Sequence, residues 1–385
     1  MSVSIIYYIL LAILILSLVV QLGFYFIPYT AILRRTRKIK KGNVAHTVEQ
    51  PPVSVIICAR NEGDNLQRFL PLVLEQDYAD YEVIIVNDGS CDDTDDIIKE
   101  LQKVYHNLYI TNIPQETRII SHKKLAITVG VKAAKNEILL FTDADCRPLT
   151  SNWIKTMVRN FDNQTEFVLG HGNYYREKGF ISSLISYDTL TIAMQYMGFA
   201  LLGYPYMGVG RNMAYRKSTF FRLKGFAGFL HIASGDDDLL INAFGKKHNT
   251  RIEPSCEAET LSLPQNTFHD WYYQKLRHLS TVDVYKSGSK MWIGLEPLSR
   301  GLFYLTTLLL VILGYNNPII LAIALGSFLL RFLIQFSIIN LTAKTYKDKR
   351  FGLSIILFDI ILPLITLYIL TIGKIFRRKT KFIWK

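Results

Sequence analysis

The sequence predicts an α/β domain with a mostly parallel sheet, set between apolar segments long enough to cross a bilayer. Three observations predict it. Between residues 51 and 299, β-rich apolar runs alternate with helical stretches three times, a pattern that gives parallel strands joined by right-handed crossovers. Polar clusters follow those runs at their carboxyl ends, where open α/β sheets bind ligands. Outside that interval the chain is dominated by long apolar stretches.

Half of the 385 residues are hydrophobic, yet the net charge is +12. Ile5 to Ile27 is almost wholly apolar and long enough to span. Arg34, Arg35, Arg37, Lys38, Lys40 and Lys41 follow it. A secretory signal carries its charge before the apolar run and a cleavage site after it, so this order reads as a retained anchor. Basic flanks mark the cytoplasmic side, which puts the N-terminus outside and the following domain in the cytoplasm. The expected organisation is an anchor over 1–33, a basic linker over 34–50, the α/β domain over 51–299, and about three C-terminal spans with a basic tail over 300–385.

Those spans are Leu302 to Leu313, Ile319 to Leu341 and Phe351 to Ile372. The first is short unless extended and tilted. Three full crossings would leave Arg377, Arg378, Lys379 and Lys381 outside, against the charge rule. Either one segment is re-entrant or interfacial, which Pro363 favours, or the rule fails. The excess positive charge reads as topology and attraction to anionic membrane lipids. Nucleic acid is not an expected partner, because the basic clusters lack interleaved stacking aromatics. Cys58, Cys91, Cys146 and Cys256 are isolated and show no metal spacing, so reduced thiols are expected.

Within the domain, Val53 to Cys58 reads as the first strand, and Asn61 to Asn65 supplies turn and capping residues for a helix through about Glu75. Tyr81 to Val86 is the second strand, and Asp92-Asp93-Thr94 opens a helix with its acids at the positive end of the dipole. Leu108 to Ile113, a helix over Lys123 to Ala134, and a strand over Glu137 to Thr142 complete the alternation. The last strand ends in Asp143-Ala144-Asp145. Residues i and i+2 of extended backbone project to one side, so the two carboxylates converge on one point. Such a pair suits a hard divalent cation, Mg²⁺ or Mn²⁺. Phe180 to Met207 is apolar and aromatic but broken by polar residues, and reads as core or as an amphipathic membrane-surface segment.

Pro52 to Glu62, Val86-Asn87-Asp88-Gly89-Ser90 and Asp143-Ala144-Asp145 resemble successive motifs of glycosyltransferase family 2, the inverting enzymes of GT-A fold. Gly208-Val209-Gly210-Arg211-Asn212, Gly235-Asp236-Asp237-Asp238-Leu239 and Gln274-Lys275-Leu276-Arg277-His278 are similar to its membrane-bound, synthase-like branch, which includes hyaluronan and cellulose synthases and ceramide glucosyltransferase.

The resemblance implies a nucleotide-sugar donor, UDP- or GDP-linked, and transfer to a hydroxyl of a lipid or glycan acceptor. The departing diphosphate asks for a metal and cations, the hydroxyl for a carboxylate base. It implies donor contacts from Ala59, Asn61, Glu62, Asp88, Ser90, Lys123 and Asp143, with Asp145 and Asp143 as metal ligands. Lys123 read without it is an ordinary helix-surface lysine. Three adjacent carboxylates raise one another's pKa, which suits a base near neutral pH. Asp237 is the expected base and Asp236 the runner-up, while Asp238 starts a helix. Gln274 and Arg277 share a helix face, and Arg277 would bind the diphosphate. His278 stands where the family has Trp at the acceptor position. Asn212 resembles an acceptor-side turn, and a strand-edge turn is the plainer reading.

A lipid or lipid-linked acceptor fits the small number of spans, and a processive polysaccharide synthase is the alternative that Gln274 and Arg277 favour. An inert GT-A scaffold is the remote reading. A nucleotidyltransferase would carry a Gly-rich basic loop after the first strand, and a transporter more ionisable residues than Arg331 and Asp359 in its spans.

Overall fold

The computed structural model describes residues 3–114 and 121–377, with side chains from Ile5 to Pro114 and from Ser121 to Thr371. Arg378, Lys379 and Lys381 of the expected basic tail lie outside the described residues.

Two helices lead in, α1 (Val3–Phe24) and α2 (Ala31–Lys40), joined by a wide turn at Tyr25–Tyr29 that holds Pro28. The sheet region then runs β1 (Val53–Ala59), α3 (Gly63–Leu74), β2 (Tyr81–Asp88), α4 (Thr94–Gln102), β3 (Leu108–Ile113), α5 (His122–Ala133) and β4 (Ile138–Asp143). The short elements β5 (Cys146–Pro148), α6 (Trp153–Val158), β6 (Phe167–Leu169) and β7 (Gly172–Tyr174) precede the long helix α7 (Phe180–Leu201). After it come β8 (Met213–Arg216), α8 (Lys217–Arg222), α9 (Asp238–Phe244), β9 (Thr250–Ile252) and β10 (Thr260–Ser262). The chain ends in α10 (Phe268–Leu279), α11 (Ser287–Leu313), α12 (Pro318–Thr345) and α13 (Ser354–Arg377).

The main sheet has the order β3-β2-β1-β4-β8-β6-β9. Its first four strands are parallel, as the alternation predicts, and β8 enters antiparallel to both β4 and β6. β1 is buried along its whole length, which is why it reads as an unbroken apolar run rather than an alternating one. Strand order reverses between β1 and β4, and the crevice at such a switch point is where a ligand lies. In register, Cys58 faces Asp143 and Ala59 faces Asn87, so the polar ends of β1, β2 and β4 share one rim.

Among the described residues, four helices are long and apolar enough to cross a membrane: Ile5–Lys40, Ser287–Leu313, Pro318–Thr345 and Ser354–Thr371. The first C-terminal segment is longer than the sequence suggests. Its early turns carry Glu296 and Arg300, which break the hydropathy but pair with each other at 2.6 Å. Arg331 and Asp359, the ionisable residues noted in the spans, form a bridge at 2.9 Å. Asp359 also takes Arg300 at 2.9 Å and the Tyr304 hydroxyl at 2.6 Å, and Arg331 reaches Gln21 at 2.8 Å. Two cations and two acids are thereby matched where an unpaired charge would be costly.

Phe180 to Met207 resolves into the single helix α7 followed by a loop, and most of that helix is buried. Its polar residues defeated the hydropathy reading because they are satisfied from distant segments. Lys275 of α10 meets both Asp188 oxygens at 2.7 Å, and Gln335 of α12 donates to the Tyr187 hydroxyl at 3.1 Å. α13 packs on α7, α10 and α11, and its Tyr368 ring lies 6.1 Å from that of Tyr272 in α10. It therefore leans across the α/β domain's own helices, with Leu357, Leu364 and Leu367 exposed on its outer side.

Candidate active site

The rim at β1, β2 and β4 is knitted before any ligand is considered. Asn61, at φ 54°, turns the chain out of β1. Its N–H donates to the Ser90 hydroxyl at 2.9 Å and its side-chain oxygen accepts from the Cys91 N–H at 2.8 Å. Glu62 donates its N–H to the Thr94 hydroxyl at 2.9 Å and accepts from Asn65 at 2.6 Å. Burial, reinforced by Asp145 and Asp143, pushes the Glu62 carboxyl up to about 7. Asp88, at the end of β2, is buried and meets His122 Nδ1 at 3.1 Å and Arg60 at 3.6 Å. Ala59 is wholly buried beneath this floor.

Lys123 is no surface lysine. From the first turn of α5 its ammonium reaches Asp143 Oδ1 at 2.9 Å and Asp236 Oδ2 at 3.4 Å. Burial opposes its charge, but the carboxylates of Asp143, Asp236 and Asp237 outweigh burial and hold its pKa well above the ordinary lysine range. The same contact lowers Asp143 against its own burial. The neighbouring Lys124 points elsewhere. Wholly buried, it donates to the carbonyls of Phe229, Ile232 and Ser234 at 2.7–2.9 Å. That ties down the loop leading into Gly235-Asp236-Asp237-Asp238.

The three adjacent acids divide. Asp236 faces Lys123. Asp237 caps α9, accepting from its neighbour's N–H at 2.8 Å and from the Gly210 N–H at 2.7 Å. Burial first, then Asp236 and Asp238, pushes the Asp237 carboxyl up to about 7. Asp238 begins the helix, as the sequence suggests, and its buried carboxylate accepts from Thr281 and Tyr285. It holds α9 to the segment after α10.

Asp143, Asp145 and Cys146 bring ligand atoms within 4.8 Å of one another. Asp145 already accepts from the Ser262 hydroxyl at 2.8 Å. Burial, then Asp145, drives the Cys146 thiol well above its ordinary value, so it stays protonated and is a poor partner for a hard ion. Two converging carboxylate groups with oxygen neighbours fit Mg²⁺ or Mn²⁺.

On the far side, Gln274 donates to the Tyr174 hydroxyl at 3.0 Å, and the Arg211 guanidinium stacks on the Tyr174 ring at 4.2 Å. Arg211 also donates to the Gly172 carbonyl at 2.8 Å. Arg277 and His278 line the same cleft. His278 keeps an exposed edge on the cleft wall, and partial loss of water around its ring, followed by the charges of Arg277 and Arg211, depresses its pKa well below the ordinary imidazole value, leaving it neutral.

Asn212 is the correction. It is wholly buried, its amide donates to the His171 and Ala258 carbonyls at 2.7 Å, and its oxygen accepts from Trp153 Nε1 at 3.0 Å. Every side-chain bond goes to protein, so it braces β8 against α6 rather than meeting an acceptor. Lys124, His122, Arg211, Tyr174 and Ser262 were not singled out from sequence. Only the Gly-Val-Gly-Arg stretch before Asn212 carried a signal that pointed at any of them.

One cleft of about 970 Å³ collects Glu62, Lys123, Asp143, Asp145, Arg211, Asp236, Asp237, Gln274, Arg277 and His278, and continues to Leu362 and Pro363 of α13. An open, mostly parallel sheet with carboxylates at its switch point, joined to long apolar helices, defines an α/β GT-A-like fold. Residues 54–223 match the family described as Glycosyl transferase family 2.

Over shorter stretches it is similar to glycosyltransferase AglE of Haloferax volcanii, 36% identical across 26% of this chain and 32% of that protein. It is also similar to WfaP of Escherichia coli, a UDP-Glc:alpha-D-GlcNAc-diphosphoundecaprenol beta-1,3-glucosyltransferase, 30% identical across 34% of this chain and 48% of that one. A third relative is the poly-beta-1,6-N-acetyl-D-glucosamine synthase of Staphylococcus epidermidis, 32% identical across 24% of this chain and 21% of that one. The chain thus spans less than half the length of these curated relatives. In fold it resembles the mannosyltransferase PcManGT of Pyrobaculum calidifontis, solved with GDP-Man and Mn²⁺, at a TM-score of 0.54 and 18% identity over 88% of this chain and 99% of that one.

Proposed function

We propose that this protein is an inverting, membrane-embedded glycosyltransferase. It moves a sugar from a cytoplasmic UDP- or GDP-sugar to a hydroxyl of a lipid or lipid-linked acceptor. The observation that carries the reading is the cluster in which Lys123 bridges Asp143 and Asp236, with Asp237 next in chain and its carboxyl raised to about 7.

In this reading Asp88, Asn61, Glu62 and Ser90 cradle the nucleotide at the switch point. Asp143 and Asp145 would hold Mg²⁺ or Mn²⁺, which would supply positive charge against that developing on the diphosphate. Arg277 meets the departing diphosphate as the bond from the anomeric carbon to its oxygen breaks. Asp237 takes the proton of the acceptor hydroxyl as its oxygen bonds the anomeric carbon from the opposite face. Gln274 positions the far wall through Tyr174, and neutral His278 offers a hydrogen-bonding group at the acceptor position.

A second reading, a processive polysaccharide synthase, is favoured by Gln274 and Arg277 lining one cleft from the same helix. Purified protein in nanodiscs with Mg²⁺ or Mn²⁺, offered UDP- and GDP-sugars with and without a lipid extract, separates the outcomes. Nucleotide release that rises with lipid and yields a discrete glycolipid supports the proposal. A polymer ladder supports the synthase, and silence without nucleotide binding supports an inert scaffold.

A further inference from the structure

The catalytic cleft does not stop at the polar groups. Beyond His278 it runs between α7, α11 and α13, where Ile185, Ile192, Ile293, Pro297, Leu362 and Pro363 line it. These six side chains are apolar; Thr189 of α7 and Thr366 of α13 line the cleft among them, and Asp188 there is tied to Lys275.

Two features make it more than a packing gap. Both helices that flank it carry a proline inside, Pro297 in α11 and Pro363 in α13, and both prolines line the limb. A proline within a helix removes a backbone hydrogen bond and pushes against the preceding turn, which keeps two helices from closing along their length. Second, the same turns are apolar on their outer sides: Leu298 is 61% exposed on α11, and Leu364 and Leu367 are 60% and 59% exposed on α13. Hydrocarbon therefore surrounds the outside of the gap when these helices meet a bilayer.

Arg300 and Glu296 also reach the limb, but each is already engaged, with the other and, for Arg300, with Asp359. They form a neutral floor rather than a free charge, so the ligand class that suits the walls is a hydrocarbon chain.

We infer that the limb between α11 and α13 is a lateral port that admits one hydrocarbon chain of a membrane lipid from the bilayer to the catalytic cleft. The inference rests on the proposed lipid-directed reading for its purpose, but not for its test. A chain lying there would bring the lipid's polar end towards Arg277 and Asp237 without lifting its tail into water, which saves the hydrophobic transfer cost of each methylene.

The test uses the full-length protein in nanodiscs of phosphatidylglycerol and phosphatidylcholine in which a fraction of the lipid bears a diazirine on its acyl chain. After irradiation, labelled sites are mapped by mass spectrometry for the wild type, Leu362→Trp, which fills the limb, and Leu367→Trp, which alters only the outer face. The expected result is labelling at Ile293, Leu362 or Pro363 in the wild type and in Leu367→Trp, with loss of the α11 limb label in Leu362→Trp and the outer-face label kept. Labelling confined to the outer face, or limb labelling unchanged in Leu362→Trp, overturns the port. Nucleotide-sugar binding by the wild type is measured alongside. Limb labelling without donor binding leaves the port standing and removes the transferase reading, whereas donor binding without limb labelling does the reverse.

Discussion

Lys123 donates to Oδ1 of Asp143 at 2.9 Å, joining the start of one helix to the end of the central strand. The same ammonium lies 3.4 Å from Asp236, so one cation ties the strand-end carboxylate to the loop that carries the proposed base. Replacing it by Met leaves these acids facing one another without compensation. Lys123→Met is expected to lose nucleotide-sugar binding and to lower the unfolding midpoint, read by calorimetric titration and a thermal melt. Lys124→Met, which frees the loop instead, should weaken turnover more than donor binding.

The two carboxylate groups of the site separate by substitution. Asp145→Asn is expected to abolish metal-dependent donor binding. Asp237→Asn should keep donor binding and lose transfer by about 10²–10⁴-fold, the range for a general base. Full turnover in Asp237→Asn would remove it from that role.

The pH profile follows from the direction of the Asp237 shift. Its carboxyl is raised from the ordinary 3.8 to about 7, so it is protonated and idle below that value. Turnover at saturating donor and acceptor should rise with pH through about 7 and level off above it. The stability sign is opposite: the fold favours the protonated form, so that contribution is full below 3.8 and is lost as pH rises through about 7. Asp237→Asn should remove the rise in turnover and its own share of the stability dependence, leaving the share of Glu62, whose carboxyl is also raised to about 7.

Asp359 sits between two guanidinium groups, Arg300 and Arg331, each at 2.9 Å. Asp359→Leu leaves two cations with only Glu296 and should cost about 3–5 kcal/mol, the range for a broken buried pair. The double variant with Arg331→Leu retains the Arg300–Glu296 pair and should recover much of that loss. Thermal unfolding in detergent reads both.

Asn212→Ala is the test of its bracing role. It strands the Trp153 N–H and two carbonyls, each costing about 1–3 kcal/mol when left unsatisfied. The unfolding midpoint should fall, while KM for any acceptor measured on the folded fraction should hold.

By itself the sequence determined the alternation of β1 to β4, the rim on which Asp88, Asp143 and Asp145 sit, and the split by which Asp238 enters a helix and Asp237 precedes it. Those features depend on short-range periodicity and on strand-end position, which a linear chain displays. Only the tertiary structure decided that Lys123 faces inward, that Asn212 is consumed by three protein partners, and that α7 is one buried helix despite its polar residues. It also decided that Arg331 and Asp359 meet and that α13 leans on α10 beside the cleft. In each case the deciding partner lies far away in sequence: Asp188 is satisfied by Lys275, Tyr187 by Gln335, and Asp359 by Arg300 and Arg331. A buried charge looks like a break in an apolar run until its counter-charge is in place, and hydropathy carries no record of which counter-charge that will be.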